Sequence, residues 1–265
     1  MTIAALGLVD DDQINLDIAA LALSELDHPG GDIASHAELL QKIGDRLREV
    51  GAKALTPAEQ AAALSAVLHD EFGFQGDVES YDAPINGDMI RVLDRRRGLP
   101  VSLSILYVAA ARRAGWSADP LNTPGHVLVR LGREEAVVID PFNGGAIVQP
   151  EQMAASLGRA AASRAAIPAA RIGPMSNRDT LVRLLMNQAT RAEDSGDPGR
   201  AMTIYQRMTL VAPGNPDGWW ALARLQLGTG MIEDARKSLS AMLEITREPE
   251  RRALVTSVLE KIAAS

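Results

Sequence analysis

Cysteine is absent from all 265 residues. That single absence removes disulfides, cysteine metal sites and thiolate catalysis together. Aromatic residues are scarce, at 3%. The apolar content of 46% is therefore carried by Ala, Leu and Val, which favours helices that approach closely through small side chains. Positive charge is in deficit, with 27 Lys and Arg against 34 Asp and Glu and a formal net charge of -7. A surface of that balance does not suit nucleic acid, which needs cations to neutralise phosphates. The one dense basic run, Arg95 to Arg97, reads as a solvated face or as internal ion pairs, with local phosphate binding as the alternative. The four histidines, His28, His36, His69 and His126, form no HxxxH or HxH pair, so no metal and no cofactor is expected. No apolar run is long enough to span a bilayer. The opening "MTIAALGLVDDDQ" has no basic stretch and meets acids early, unlike a signal peptide. A cytoplasmic protein without a membrane partner is the expectation.

What is present is mostly helical at first. "NLDIAALALSEL" (Asn15 to Leu26) and "AELLQKIGDRLREVG" (Ala37 to Gly51) carry apolar residues at helical spacing. "TPAEQAAALSAVLHDEFGF" opens with Thr56, Pro57 and Glu59, which is a capping box with proline at the first helical position. A polar connection follows, then a short helix "DMIRVLDRRRG". Val101 to Ala114 is apolar on every side, so it should be a central helix packed on more than one face. Beyond Gly115 the period changes to that of strands. "HVLVRL" and "AVVID", separated by "GREE", predict a hairpin. Residues 151 to about 175 are rich in Ala, Gly and Pro and read as a short helix and a linker, with a domain boundary between about 150 and 180.

The last part repeats itself. A shift of 34 residues superposes Leu185 on Trp219, Ala189 on Ala223, Gly196 on Gly230, Ala201 on Ala235, Tyr205 on Leu239 and Met208 on Met242. Small residues where helices touch, Gly at the turn and Pro213 closing the first unit resemble the tetratricopeptide repeat. The second copy has Arg247 in place of that proline. The tail "EPERRALVTSVLEKIAAS" reads as a cap helix. Trp219 fills the large repeat position and reads as core.

The stretches "LHDEFGFQGDVESYDAPINGDMIRVLDRRRGLPVSLSILYVAAARRAG", "TPGHVLVRL" and "VIDPFNGG" resemble the transglutaminase-like superfamily. The chain is most similar to its bacterial SirB-type family, in which such a core precedes tetratricopeptide repeats. The resemblance implies an α+β fold: a helical N-terminal region and a transglutaminase-like, papain-related core with a central helix on a small antiparallel sheet, followed by an all-α repeat domain. It implies a first domain over 1–160 and two repeats plus a cap helix over 176–265. It also implies a triad whose nucleophile opens the central helix. His126 matches the triad His and Asp140 the triad Asp. Ser102 takes the place of the Cys, with Pro100 and Val101 as competing alignments. Asn86 in "PINGD" matches a family position that braces the site, although Asn-Gly is also ordinary turn chemistry.

Each of these residues has a plainer reading. A Ser at a helix start is usually an N-cap or a buried hydrogen bonder, and a Ser hydroxyl, unlike a thiol, needs a base in direct contact and an oxyanion hole. His126 can be a half-buried hydrogen bonder, and Asp140, before Pro141, an Asx-turn residue. The glycines of "FNGG" (Phe142 to Gly145) read as an ordinary turn. The expectation is a non-catalytic interaction or regulatory module whose protein or peptide partner is held by the repeat groove or the former active-site cleft. The alternative is a Ser102-His126-Asp140 amidase, esterase or peptidase. Strand register separates them. A four-residue loop sets His126 opposite Pro141 and turns Asp140 away, whereas one residue fewer sets His126 directly opposite Asp140. The second register is the one expected.

Overall fold

The computed structural model describes residues 3–155 and 173–263. The protein is α+β, and its chain divides into two compact units, one of residues 10–184 and one of residues 1–9 with 185–265. The sequence places residues 1–9 in the first domain; their contacts group them with the second unit instead. The boundary expected near 160–176 and most of the linker before it lie outside the described residues. No helix among the described residues is long and apolar enough to cross a membrane.

The unit of residues 10–184 is built around one buried helix. Short α1 (Ile3–Leu6) belongs to the other unit. α2 (Leu16–Glu25) and α3 (Ile33–Val50) follow, and then α4 (Pro57–Leu64), whose Thr56–Glu59 capping box forms as its sequence predicts. α4 runs on into a π-helical segment, Ser65–Glu71. β1 (Gln75–Gly76) and β2 (Arg97–Gly98) pair in parallel around α5 (Met89–Arg95). α6 (Pro100–Arg113) is buried without a break from Pro100 to Ala111, as an apolar surface on all sides demands. It packs on β3 (Ala118–Thr123) and β4 (His126–Leu131), with α2 and α3 also against it.

The sheet continues with β5 (Val137–Asp140), β6 (Ala146–Ile147) and β7 (Gly173–Pro174), in the antiparallel order β6-β5-β4-β3-β7. β3 and β4 form a tight hairpin in which Thr123 pairs with His126. Gly125 takes the positive φ of 73° in its turn, a conformation that suits glycine. β4 and β5 pair through Val129–Ile139, Arg130–Val138 and Leu131–Val137. This register corrects the expected one. The connection takes up residues 132–136, one more than the four-residue loop, so Leu128, not His126, falls opposite Asp140. Because side chains alternate, His126 and Asp140 still share a face, as diagonal neighbours.

α7 (Asn177–Asp194) begins in this unit. Its first amides, from Asn177 and Arg178, donate to the Asp11 carboxylate at 2.9 and 2.8 Å. A carboxylate from the start of the chain thus fills the capping role at a helix far along it.

In the other unit, the end of α7 meets α8 (Pro198–Val211) through the hydrogen bond from Tyr205 to Glu193, and α9 (Pro216–Gly228) packs on α8 and on α10 (Ile232–Ile245), before the cap helix α11 (Pro249–Ala263). α8 and α10 start and stop 34 residues apart, and Ala189, Ala201, Ala223 and Ala235 are all fully buried. Any larger side chain there would separate the helices. α1 packs on α8, and a Cβ on Gly7 would lie 2.2 Å from the Leu210 carbonyl oxygen.

Candidate functional site

The strand ends carry the pair that the sequence points to. His126 opens β4 and Asp140 closes β5. His126 Nε2 donates to Asp140 Oδ1 at 2.9 Å. That bond puts a proton on Nε2. Asp140 also accepts from the Phe142 amide at 3.0 Å and from Asn143 Nδ2 at 2.7 Å. Both the Asx-turn reading and the His-pair reading of Asp140 therefore hold in one carboxylate. The Phe142 ring meets His126 edge to face, with centroids 5.8 Å apart, and meets Tyr81 in the same way at 5.8 Å. It lies against the bare α-carbon of Gly76, where a Cβ would come within 2.6 Å of the ring.

Burial alone would raise the Asp140 carboxyl. The hydrogen bond and charge of His126, then Asn143 and the Phe142 amide, outweigh it and hold the group below the ordinary carboxylate range. A group depressed in this way adds stability above its unfolded pKa of about 3.9 and loses it as pH falls through the lower folded value. His126→Ala should accordingly cost about 1–2 kcal/mol at neutral pH, and the difference from wild type should shrink below about pH 4. Urea unfolding at pH 7 and pH 3 measures both values. Equal differences at the two would show that the bond does not stabilise the ionised carboxylate.

Ser102 stands apart from this pair in its bonding. Leu99 is the N-cap of α6 and Pro100 its first residue, so Ser102 lies inside the first turn and is not the cap. Its side chain is fully buried. Its hydroxyl donates to the Asn86 carbonyl at 2.8 Å, which also accepts the Leu99 amide at 3.2 Å. Ser104, two residues further along α6, donates to the Val127 carbonyl at 2.9 Å and ties α6 to β4.

Asn86 is the centre of a polar network that the sequence signals only in part. It is fully buried. Its Nδ2 donates to the Ser80 carbonyl at 2.6 Å, and its Oδ1 accepts from Arg95 Nη1 at 2.8 Å. Arg95 Nη2 donates to Asp77 Oδ2 at 2.6 Å, and Asp77 Oδ1 accepts the Ser80 amide at 2.9 Å. Every strong group is paired, as burial requires. The basic run thus resolves inward at Arg95, while the Arg96 guanidinium lies over the Phe74 ring at 4.9 Å.

The two glycines after Phe142 do more than turn the chain. Gly144 and Gly145 have φ of 68° and 81°. The Gly144 carbonyl accepts from Ser65 in the π-helical segment at 2.7 Å, and the Gly145 amide returns to the Asp140 carbonyl at 2.8 Å. π-Helical turns often mark functional sites, and this one seats the loop behind Asp140.

The transglutaminase-like superfamily pattern matches residues 34–186, and the tetratricopeptide-repeat pattern matches residues 192–258. A UPF0162 protein of Xylella fastidiosa is 32% identical over 244 residues, covering 88% of this chain and 86% of that protein. F-box only protein 21 of Pongo abelii is 39% identical over 82 residues, covering 31% of this chain and 13% of that protein. Among solved structures, menin aligns with a TM-score of 0.43 and 13% identity, over 92% of this chain and 69% of the menin chain.

Proposed function

Because the chain belongs to the transglutaminase-like superfamily, with tetratricopeptide repeats after the core, we propose that it is a SirB-type protein working as a non-catalytic interaction and regulatory module. The observation that carries this is the Ser102 hydroxyl. A serine nucleophile must give its proton to a base in contact with it. Here the proton goes to the Asn86 carbonyl, at 2.8 Å, in a fully buried position. The same chain has no cysteine to take the role. The His126–Asp140 pair keeps the strand ends and the Phe142 turn together, which is work enough to retain it.

The alternative, a Ser102-His126-Asp140 hydrolase, draws its support from the 2.9 Å bond between His126 and Asp140. A fluorophosphonate probe separates the readings. Neither wild type nor Ser102→Ala should be labelled, and neither should hydrolyse a panel of esters and peptide amides above buffer. Labelling of the wild type that disappears in both Ser102→Ala and His126→Ala would overturn the non-catalytic reading. Ser102→Ala itself should cost about 1 kcal/mol in stability, through the lost hydrogen bond.

A further inference from the structure

We infer that the end of α8 and the turn after it, Leu210 to Pro213, form a docking site for a short uncharged apolar helix with a glycine at its end, that residues 3–9 occupy this site in cis, and that a partner polypeptide carrying the same pattern binds by displacing them. This inference rests on the interaction-module reading and gives that module a surface, a ligand chemistry and a built-in competitor.

The occupant shows what the site selects. Residues 3–9 read IAALGLV, with no charged or polar side chain. Their contacts group them with residues 185–265. α1 rests on α8, and Leu6 is fully buried. A helix of four residues is too short to hold its shape alone, so docking maintains it. The Leu8 and Val9 amides close it by donating to the Ala5 carbonyl at 3.1 and 3.2 Å. Gly7 then crosses the backbone of α8 at close range. A Cβ there would stand 2.2 Å from the Leu210 carbonyl oxygen and 3.2 Å from Pro213 Cδ. The first of these atoms is backbone and cannot swing aside, so glycine is the residue that fits. Leu6 supplies the anchor and Gly7 the clearance.

The cis segment covers its site incompletely. Among residues 3–9 only Leu6 is fully buried, and Leu8 is 87% exposed. Beside the Gly7 crossing, Leu210 is 51% exposed. A partner that also covers Leu210 gains apolar burial that residues 3–9 do not supply. Its competitor is a tethered segment, present at a local concentration of about millimolar. The partner's apparent affinity is scaled down by the fraction of molecules in which the site is open, and recovers when the segment is released.

The test uses the full chain and a labelled synthetic peptide of residues 3–12, in which Asp10, Asp11 and Asp12 favour solubility. Gly7→Val and Leu6→Ser in the chain evict the cis segment and leave α8 unaltered in sequence. Each should bind the peptide about tenfold more tightly than wild type does, and a peptide carrying Gly7→Val should bind none of them. Protection from amide exchange on binding should map to α8 and residues 210–213. In wild type, peptide at about millimolar concentration should speed exchange of the Leu8 and Val9 amides, a measurement that needs no variant to fold. Equal affinity of wild type and each variant that folds, a Gly7→Val peptide that binds as tightly as the native one, protection elsewhere on the chain, or Leu8 and Val9 amides indifferent to the peptide overturns the inference. Fluorophosphonate labelling does not depend on any of these results, so the docking site and the non-catalytic reading fail separately.

Discussion

An Arg113→Ala protein should lose about 3–5 kcal/mol of stability at neutral pH. The Asp17 carboxylate is fully buried in α2. Both guanidinium nitrogens of Arg113 reach it from the end of α6, Nη2 to Oδ1 at 2.9 Å, with the other arm pairing Nη1 with Oδ2. The arm passes α3 at Gly44, where a Cβ would stand 2.9 Å from the Arg113 side chain. Cutting it back removes the partner and, among the described residues, leaves the carboxylate with the Ile18 amide at 2.8 Å. The large cost is that of an uncompensated buried charge, not the worth of the pair. Replacing both residues, as in Asp17→Leu with Arg113→Met, should therefore recover much of the loss. Urea midpoints of the two single variants and the double variant measure this. A loss below about 1 kcal/mol for Arg113→Ala would show that water reaches Asp17.

Gly145→Ala should cost about 2–5 kcal/mol, from two separable sources. The left-handed backbone at φ 81° charges an L-residue about 1–2 kcal/mol. The new Cβ would also lie 2.9 Å from the ring of Tyr107, a fully buried side chain with no room to move away, and overpacking of that kind adds about 1–3 kcal/mol. Gly125→Ala is the internal control. Its φ is 73°, and nothing lies within 4 Å of the added carbon, so it carries the backbone cost alone. Thermal unfolding of both variants should rank Gly145→Ala as clearly the worse. Since the Gly145 amide holds the Asp140 carbonyl, the NMR signals of the His126 ring should also shift in Gly145→Ala. Equal costs for the two would mean that Tyr107 yields freely.

Local rules carried the helices. The Thr56 capping box, the apolar circumference of α6 and the 34-residue recurrence of Ala189, Ala201, Ala223 and Ala235 are each written within a few residues or one repeat, and each appears in the structure. β3 is invisible to the same rules because Asp119, Pro120 and Asn122 disfavour strands. It exists because β4 and β7 pair with it on either side, and Pro120 contributes its carbonyl to the Met175 amide at 2.8 Å. The register of β4 and β5 depended on a single residue in their connection, which no residue type in "GREEA" specifies. At the site, the motif brought His126 and Asp140 to notice, but the direction of the Ser102 hydroxyl was set by Asn86, sixteen positions away. The partners of Asp17 and Asp11 lie farther still along the chain. Contacts of that kind are properties of the closed fold, with no local sign.

The placement of residues 1–9 with 185–265 bears on how the protein is made. In connectivity, the unit of residues 10–184 is an insertion between the first helix of the other unit and the rest of it. On the ribosome, α1 therefore emerges before the insertion and acquires α8, the helix it packs on, only after the whole insertion has been synthesised. Domains that fold as they emerge do so in order from the N-terminus. Here a segment that precedes the insertion belongs to the unit completed after it, and Leu6, buried in the finished protein, waits through synthesis of the insertion for its place.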